Sequence, residues 1–140
     1  MMNIDEVNYE LKDTKGGCTR SVKRNVIQEK SFEFAVRVVN LYKHLCNEKK
    51  EHVLSKQLLR SGTSVGANVE EALGAQSEKD FIAKLNIAYK EIRETIYWIR
   101  LLAKTDFLTQ MEAENIFRDA DELSKIARSI LLTMKDKLNS

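Results

Sequence analysis

The chain has 140 residues, 43% of them apolar and 31% charged, with five glycines, no proline, two cysteines and a formal charge of +2. That length suits one domain around one core, and the composition lies outside the disordered, collagen-like and disulfide-rich classes. No segment departs far from neutrality, so the basic block that announces many nucleic-acid binders is missing. A homo-oligomer, however, repeats even a modest basic stripe around its axis and sums the field.

Residues 1–29 are polar, mixed in charge and punctuated by Gly16-Gly17, and are expected to form a poorly ordered leader, with Val26 and Ile27 available to dock on the domain. Cys18 falls in this leader and Cys46 in a helical pattern, which argues against a disulfide framework. The N-terminus lacks the apolar stretch of a signal peptide, and no run of about 18 apolar residues occurs, so the expected setting is the cytoplasm with no membrane contact.

From residue 30 to 138 the pattern is helical. Phe34, Val38, Leu41 and Leu45 step by four, three and four after Ser31, which is placed to cap helix one; the charged stretch 47–50 ends it. Helix two is expected to begin near Glu51 or His52, to carry Leu54, Leu58, Val65, Val69 and Ala72 on one side, and to stop at a left-handed Gly74. Ser77-Glu78-Lys79-Asp80 reads as a capping box, and the short connection before it turns helix three back against helix two. Helix three, with Phe81, Leu85, Ala88, Ile92, Ile96 or Thr95, Ile99 and Leu102 on one stripe, runs to about Lys104. A second box, Thr109-Gln110-Met111-Glu112, opens helix four, where Ile116, Ala120, Leu123, Ala127, Ile130, Met134 and Leu138 repeat at helical spacing. The predicted fold class is all-α, an antiparallel up-and-down four-helix bundle.

Few residues offer chemistry. Gly62-Thr63-Ser64-Val65-Gly66 matches the G-x-S-x-G of a hydrolase nucleophile elbow, but it lies in a helical pattern, and both histidines, His44 and His52, precede the serine. Its small residues make better sense as a slim section of helix two against which another backbone packs closely. His44, Cys46 and His52 lack a second cluster at zinc spacing, and the Glu-x-x-His of a di-iron bundle is absent, so no metal, cofactor or catalytic residue is expected. Trp98, Phe107, Phe117 and Tyr89 read as core or subunit-contact residues.

The most suggestive feature is a polar stripe on helix three. Asn86, Lys90, Arg93, Tyr97, Arg100 and Lys104 follow one another at steps of four, three, four, three and four, on a face other than the apolar one. Four cations interleaved with an aromatic suit a phosphate backbone, with guanidinium forks holding oxygens and Tyr97 available to stack on an unpaired base. The competing reading is an ordinary solvated face balanced by Glu91 and Glu94.

Three blocks carry a resemblance to a known family. They are Lys30-Ser31-Phe32-Glu33-Phe34-Ala35, then Gln57-Leu58-Leu59-Arg60 with Thr63-Ser64-Val65-Gly66-Ala67-Asn68-Val69-Glu70-Glu71-Ala72, then Asp80-Phe81-Ile82-Ala83-Lys84-Leu85-Asn86-Ile87-Ala88-Tyr89-Lys90-Glu91. In that order they resemble the four-helix-bundle family encoded in intervening sequences of bacterial 23S ribosomal RNA genes, which is ribosomal-protein-like in its naming and related to the accessory protein of diversity-generating retroelements. Gly66 and Ala72 depart from the proline and glycine common at those places. The resemblance implies a ring-like homo-pentamer and an association with nucleic acid. The leading expectation is therefore a non-enzymatic, homo-oligomeric nucleic-acid-binding (RNA or DNA) or accessory protein that uses Lys90, Arg93, Tyr97, Arg100 and Lys104, with Arg37 and Arg60 as weaker contacts. The alternative is a scaffold that docks a partner protein through a helix face, such as the acidic helix four.

Overall fold

The computed structural model describes residues 7–12 and 19–140. Cys18 and the Gly16-Gly17 pair lie outside the described residues. Four helices make up the rest of the chain after a strand pair: α1 (Val26–Asn47), α2 (Leu54–Leu73), α3 (Glu78–Lys104) and α4 (Gln110–Asn139). Within the stretch expected as a leader, β1 (Val7–Lys12) and β2 (Thr19–Arg24) pair antiparallel, Tyr9 opposite Val22 and Leu11 opposite Arg20. Val7, Tyr9 and Leu11 alternate with Asn8, Glu10 and Lys12, a period of two that a reading tuned to helices passes over.

Helix α1 starts five residues before Ser31, which corrects the expected cap. The cap is Asn25, whose Oδ1 accepts from the amides of Ile27 at 3.1 Å and Gln28 at 3.3 Å. Asparagine in this role satisfies amides that the first helical turn leaves without partners. The early start is rewarded by burial, because Val26 and Ile27 join the interior. Ser31 is instead buried inside the helix and donates to the carbonyl of Gln28 at 3.0 Å.

Helix α2 starts at Leu54, and what opens it is a buried acid. Glu51 is only 8% exposed. Its Oε1 accepts from the amides of Val53 (3.1 Å) and Leu54 (2.9 Å), and its Oε2 from that of Ser55 (2.6 Å). Burial works against the charge on this carboxyl, but the three amides and the Ser55 hydroxyl outweigh it and hold the group below its ordinary range. At the other end Gly74 closes the helix with φ −93°, not in the left-handed conformation expected of it. Among the described non-glycine residues, the left-handed ones are Lys50 and Asp106. Asp106 ends α3 in a Schellman motif: its amide donates to Ala103 O at 3.2 Å and that of Phe107 to Leu102 O at 2.9 Å.

Both predicted cap sequences act as caps. Ser77 Oγ accepts from the Asp80 amide at 3.1 Å, although Asp80 reaches back to the amide of Gln76, at 3.4 Å, rather than to that of Ser77. At α4 the box is reciprocal, with Glu112 N donating to Thr109 Oγ1 (3.1 Å) and Thr109 N donating to Glu112 Oε1 (3.0 Å).

The core runs through all four helices, with Phe34, Val38 and Leu45 from α1, Leu58, Val65 and Val69 from α2, Leu85, Ile92, Ile99 and Leu102 from α3, and Ile116, Leu123 and Ala127 from α4. Only a few polar side chains enter it. The Thr95 hydroxyl of α3 donates to Ser61 Oγ of α2 at 2.9 Å, so these two hydroxyls satisfy one another where water does not reach.

The glycines of the G-x-S-x-G stretch face α1. A Cβ on Gly62 would stand 2.7 and 2.8 Å from the two Val38 methyls, and one on Gly66 would stand 3.3 Å from the Ser31 carbonyl oxygen. The neighbour that needs the slim section is thus in the same chain. Ser64 Oγ, the would-be nucleophile, donates to Arg60 O of its own helix at 2.7 Å.

Candidate nucleic-acid interface

Helix α3 presents its buried side through Leu85, Ile92 and Ile99, and the helical repeat then carries the polar stripe outward. Lys90, Arg93, Tyr97, Arg100 and Lys104 are all exposed, and Asn86 is half-buried at the end of the row. The five predicted contacts are therefore brought together on one outer face. Tyr97, 53% exposed, is steadied by Trp98, whose ring meets it edge to face with centroids 4.9 Å apart. Trp98 is half-buried, and its Nε1 donates to Glu94 Oε2 at 3.0 Å.

The acids expected to balance this stripe are drawn away from it. Arg60 of α2 pairs with Glu91 at 3.4 Å and with Glu94, while its Nε donates to Gln57 at 3.2 Å. Among the described residues Lys90, Arg93, Arg100 and Lys104 make no ion pair with a carboxylate. Four exposed cations are thus left without an acidic partner among the described residues.

Arg60 itself, a weaker candidate contact in the sequence, is tied between helices. So is Arg37, the other one, which pairs with Asp119 and bonds Asn115 on α4. Asn68 donates back to Ser64 O at 2.8 Å and Glu71 meets Lys84 at 3.5 Å. Of the histidines, His52 is exposed, whereas His44 is half-buried with Nε2 3.2 Å from Glu112 Oε2. Among the described residues no group of three or more His, Cys, Asp or Glu side chains is arranged to hold a metal ion, and no helix is long and apolar enough to cross a membrane.

Periodicity on one helix missed a second wall. Arg128 of α4 is exposed, and Arg93, Ser124 and Arg128 each act on the Tyr89 phenol. The hydrogen bond from Arg93, opposed by burial, and then the charges of Arg93 and Arg128 with a bond to Ser124, hold the Tyr89 phenol below its ordinary range. The signal in the sequence was the spacing of four shared by Tyr89/Arg93 and Ser124/Arg128, which acquires meaning only once the two helices are packed. Beyond Arg100 and Lys104 the face opens into a groove of about 750 Å³, closed on the α4 side by Gln110, Ala113 and Glu114.

Four helices on one core, with a cationic outer face, define a small helical protein whose distinctive chemistry is on its surface. The chain belongs to the family of 23S rRNA-intervening sequence proteins, whose model matches residues 23–129. It is similar to a crystal structure, at 1.70 Å resolution, of a protein with unknown function from the S23 ribosomal protein family of Bacteroides thetaiotaomicron VPI-5482. The two share 57% identity and a TM-score of 0.75, over 76% of this chain and 98% of that one. No curated protein matches the sequence.

Proposed function

We propose that this is a non-enzymatic, cytoplasmic accessory protein that binds RNA or DNA through the outer face of α3. The observation that carries this reading is the stripe Lys90, Arg93, Tyr97, Arg100 and Lys104, exposed together while Arg60 holds the adjacent Glu91 and Glu94. Contacts of this kind reach phosphates and sugar rather than base edges, so binding has little sequence preference and falls steeply with salt. Fluorescence polarisation with labelled single-stranded RNA and DNA tests it. Wild-type protein binds at low salt, and Lys90→Ala/Arg100→Ala/Lys104→Ala loses most of that affinity while keeping its helical circular dichroism. Failure of wild-type protein to bind either strand at low salt overturns the reading.

The same proposal includes an antiparallel up-and-down bundle that assembles as a ring-like homo-oligomer. Opposed helix directions are supported by the order of the ties: Gln28 with Glu70 and Cys46 with Ser55 between α1 and α2, Lys30 with Glu122 and His44 with Glu112 between α1 and α4. Assembly is supported by apolar side chains left in solvent, among them Phe32 at 68% and Met111 at 81% exposure. Light scattering that returns the mass of one chain overturns the ring.

A second reading, a scaffold that docks a partner protein, draws on the groove of about 420 Å³ between α1 and α4, where Leu41, Met111 and Ile116 supply apolar walls. A protein partner that survives nuclease treatment, together with no nucleic-acid binding, favours it.

A further inference from the structure

Past Tyr97 the stripe on α3 runs into the groove of about 750 Å³ where α3 gives way to α4. Its floor is apolar: Leu108 is buried, and Ala103 and Ala113 are half-buried against the core. Arg100 and Lys104 form the α3 wall, roughly 6 Å apart along the helix axis, and Gln110 and Glu114 form the α4 wall.

The two walls differ in chemistry. Gln110 Nε2 donates to Glu114 Oε1 at 3.0 Å, which orients the carboxylate. Among the described residues the other Glu114 oxygen and the Gln110 carbonyl oxygen have no hydrogen-bond partner. Glu114 and Asp106 share the groove with Arg100 and Lys104, yet no ion pair joins them. A surface that only tracked phosphates would gain nothing from an acid beside the strand, which it repels. Cations on one wall and free acceptors on the other match a ligand that is anionic at one end and carries N–H donors at the other.

A nucleotide has that polarity, and the edge of its base narrows the choice. A carboxylate accepts hydrogen bonds and donates none. Guanine presents an imino and an amino N–H side by side, a pair that meets both carboxylate oxygens at once. Adenine and cytosine set a ring-nitrogen lone pair beside the amino group, and uracil flanks its imino N–H with two carbonyl oxygens, so each turns an acceptor toward Glu114.

We propose that the groove between the end of α3 and the start of α4 seats one unpaired guanine nucleotide of a single strand, its phosphate on Arg100 and Lys104 and its base edge on Glu114 and Gln110. The base lies over Ala103, Leu108 and Ala113, and the exposed Tyr97, one turn before Arg100, stacks on its neighbour. The seat rests on the nucleic-acid reading above. It adds one position of base discrimination to a surface that otherwise holds phosphates without regard to sequence.

Fluorescence polarisation of full-length protein tests it, with labelled oligouridylate and with the same strand carrying a single guanosine, adenosine or cytidine. The guanosine strand is expected to bind about tenfold tighter than the others, the discrimination of one bidentate base contact. Glu114→Gln removes an acid that every strand meets, so it strengthens binding to all of them, yet it erases the guanosine preference. Arg118→Gln, on an exposed part of α4 outside the groove, keeps that preference. By NMR, guanosine monophosphate moves the Ala103 and Ala113 methyls and the Gln110 side-chain amide, whereas uridine monophosphate does not. Equal affinity for all strands, or a preference that survives Glu114→Gln, overturns the guanine seat and leaves the α3 reading standing. Guanosine monophosphate held in the groove without binding of any strand keeps the seat and overturns the nucleic-acid reading; no binding of any probe overturns both.

Discussion

Glu51 is an acid placed where a helix needs one. Its carboxylate lies at the positive end of α2 and takes three amide hydrogen bonds, so charge, dipole and unpaired donors are satisfied by one side chain. Because its pKa is lowered in the fold from an ordinary value of 4.5, the stabilisation is fully present above that value. It is lost as pH falls through the lower, folded value. Glu51→Gln is expected to cost about 1–2 kcal/mol at neutral pH, the range for losing an N-terminal cap. Urea denaturation of both proteins across the acid range should show the gap closing as pH falls below the ordinary carboxylate range; a gap independent of pH would mean that the carboxylate charge contributes nothing. Glu112, drawn below its ordinary range first by the Thr109 amide, follows the same rule at α4. Only the second of these acids was legible in advance. Thr109 and Glu112 stand at the fixed spacing of a capping box, whereas Glu51 acts from two residues before its helix cap and has no such signature.

At the scale of the helices, the α1–α2 contact turns on Gly62. Alanine there gains about 1 kcal/mol of helix propensity, but the added methyl meets both branches of Val38, a residue with no exposed surface and no room to turn. Overpacking of that kind costs about 1–3 kcal/mol, so Gly62→Ala is expected to lower the melting temperature. Adding Val38→Ala should recover part of the loss, and a double-mutant cycle with no coupling would contradict the contact. The periodic core positions of all four helices could be read from sequence because burial repeats at 3.6 residues along each helix. The start of α1 could not be, because Val26-Ile27 after a polar stretch looks like an appendage until Asn25 is seen bonding the amides that follow it. The candidate face divides in the same way. Its α3 wall is a periodic pattern within one element, while Arg128 joins it through the relative register of two helices, a quantity that no single-helix pattern contains.

For the molecule as a whole, the net charge of +2 conceals how the charge is arranged. Acids concentrate in ties between helices, as in Glu71–Lys84, Asp119–Arg37, Glu122–Lys30 and Glu78–Lys137, while among the described residues Lys90, Arg93, Arg100 and Lys104 pair with no carboxylate. If the proposed face binds single strands, a plot of log affinity against log salt should lose about 0.7 of its slope for each phosphate-contacting cation removed. Measured for Lys90→Ala, Arg100→Ala and Lys104→Ala singly, an unchanged slope would remove that residue from the interface. The ties also give Arg60 an influence on a surface it does not join. By keeping Glu91 and Glu94 on the α2 side it shapes the potential that an approaching polyanion meets, and such potentials act mainly on the rate of encounter. Arg60→Ala frees both acids to lean toward the cations. The expected kinetic signature is slower association with nearly unaltered dissociation, which makes Arg60 a determinant of how often the surface is found rather than of how long it is held.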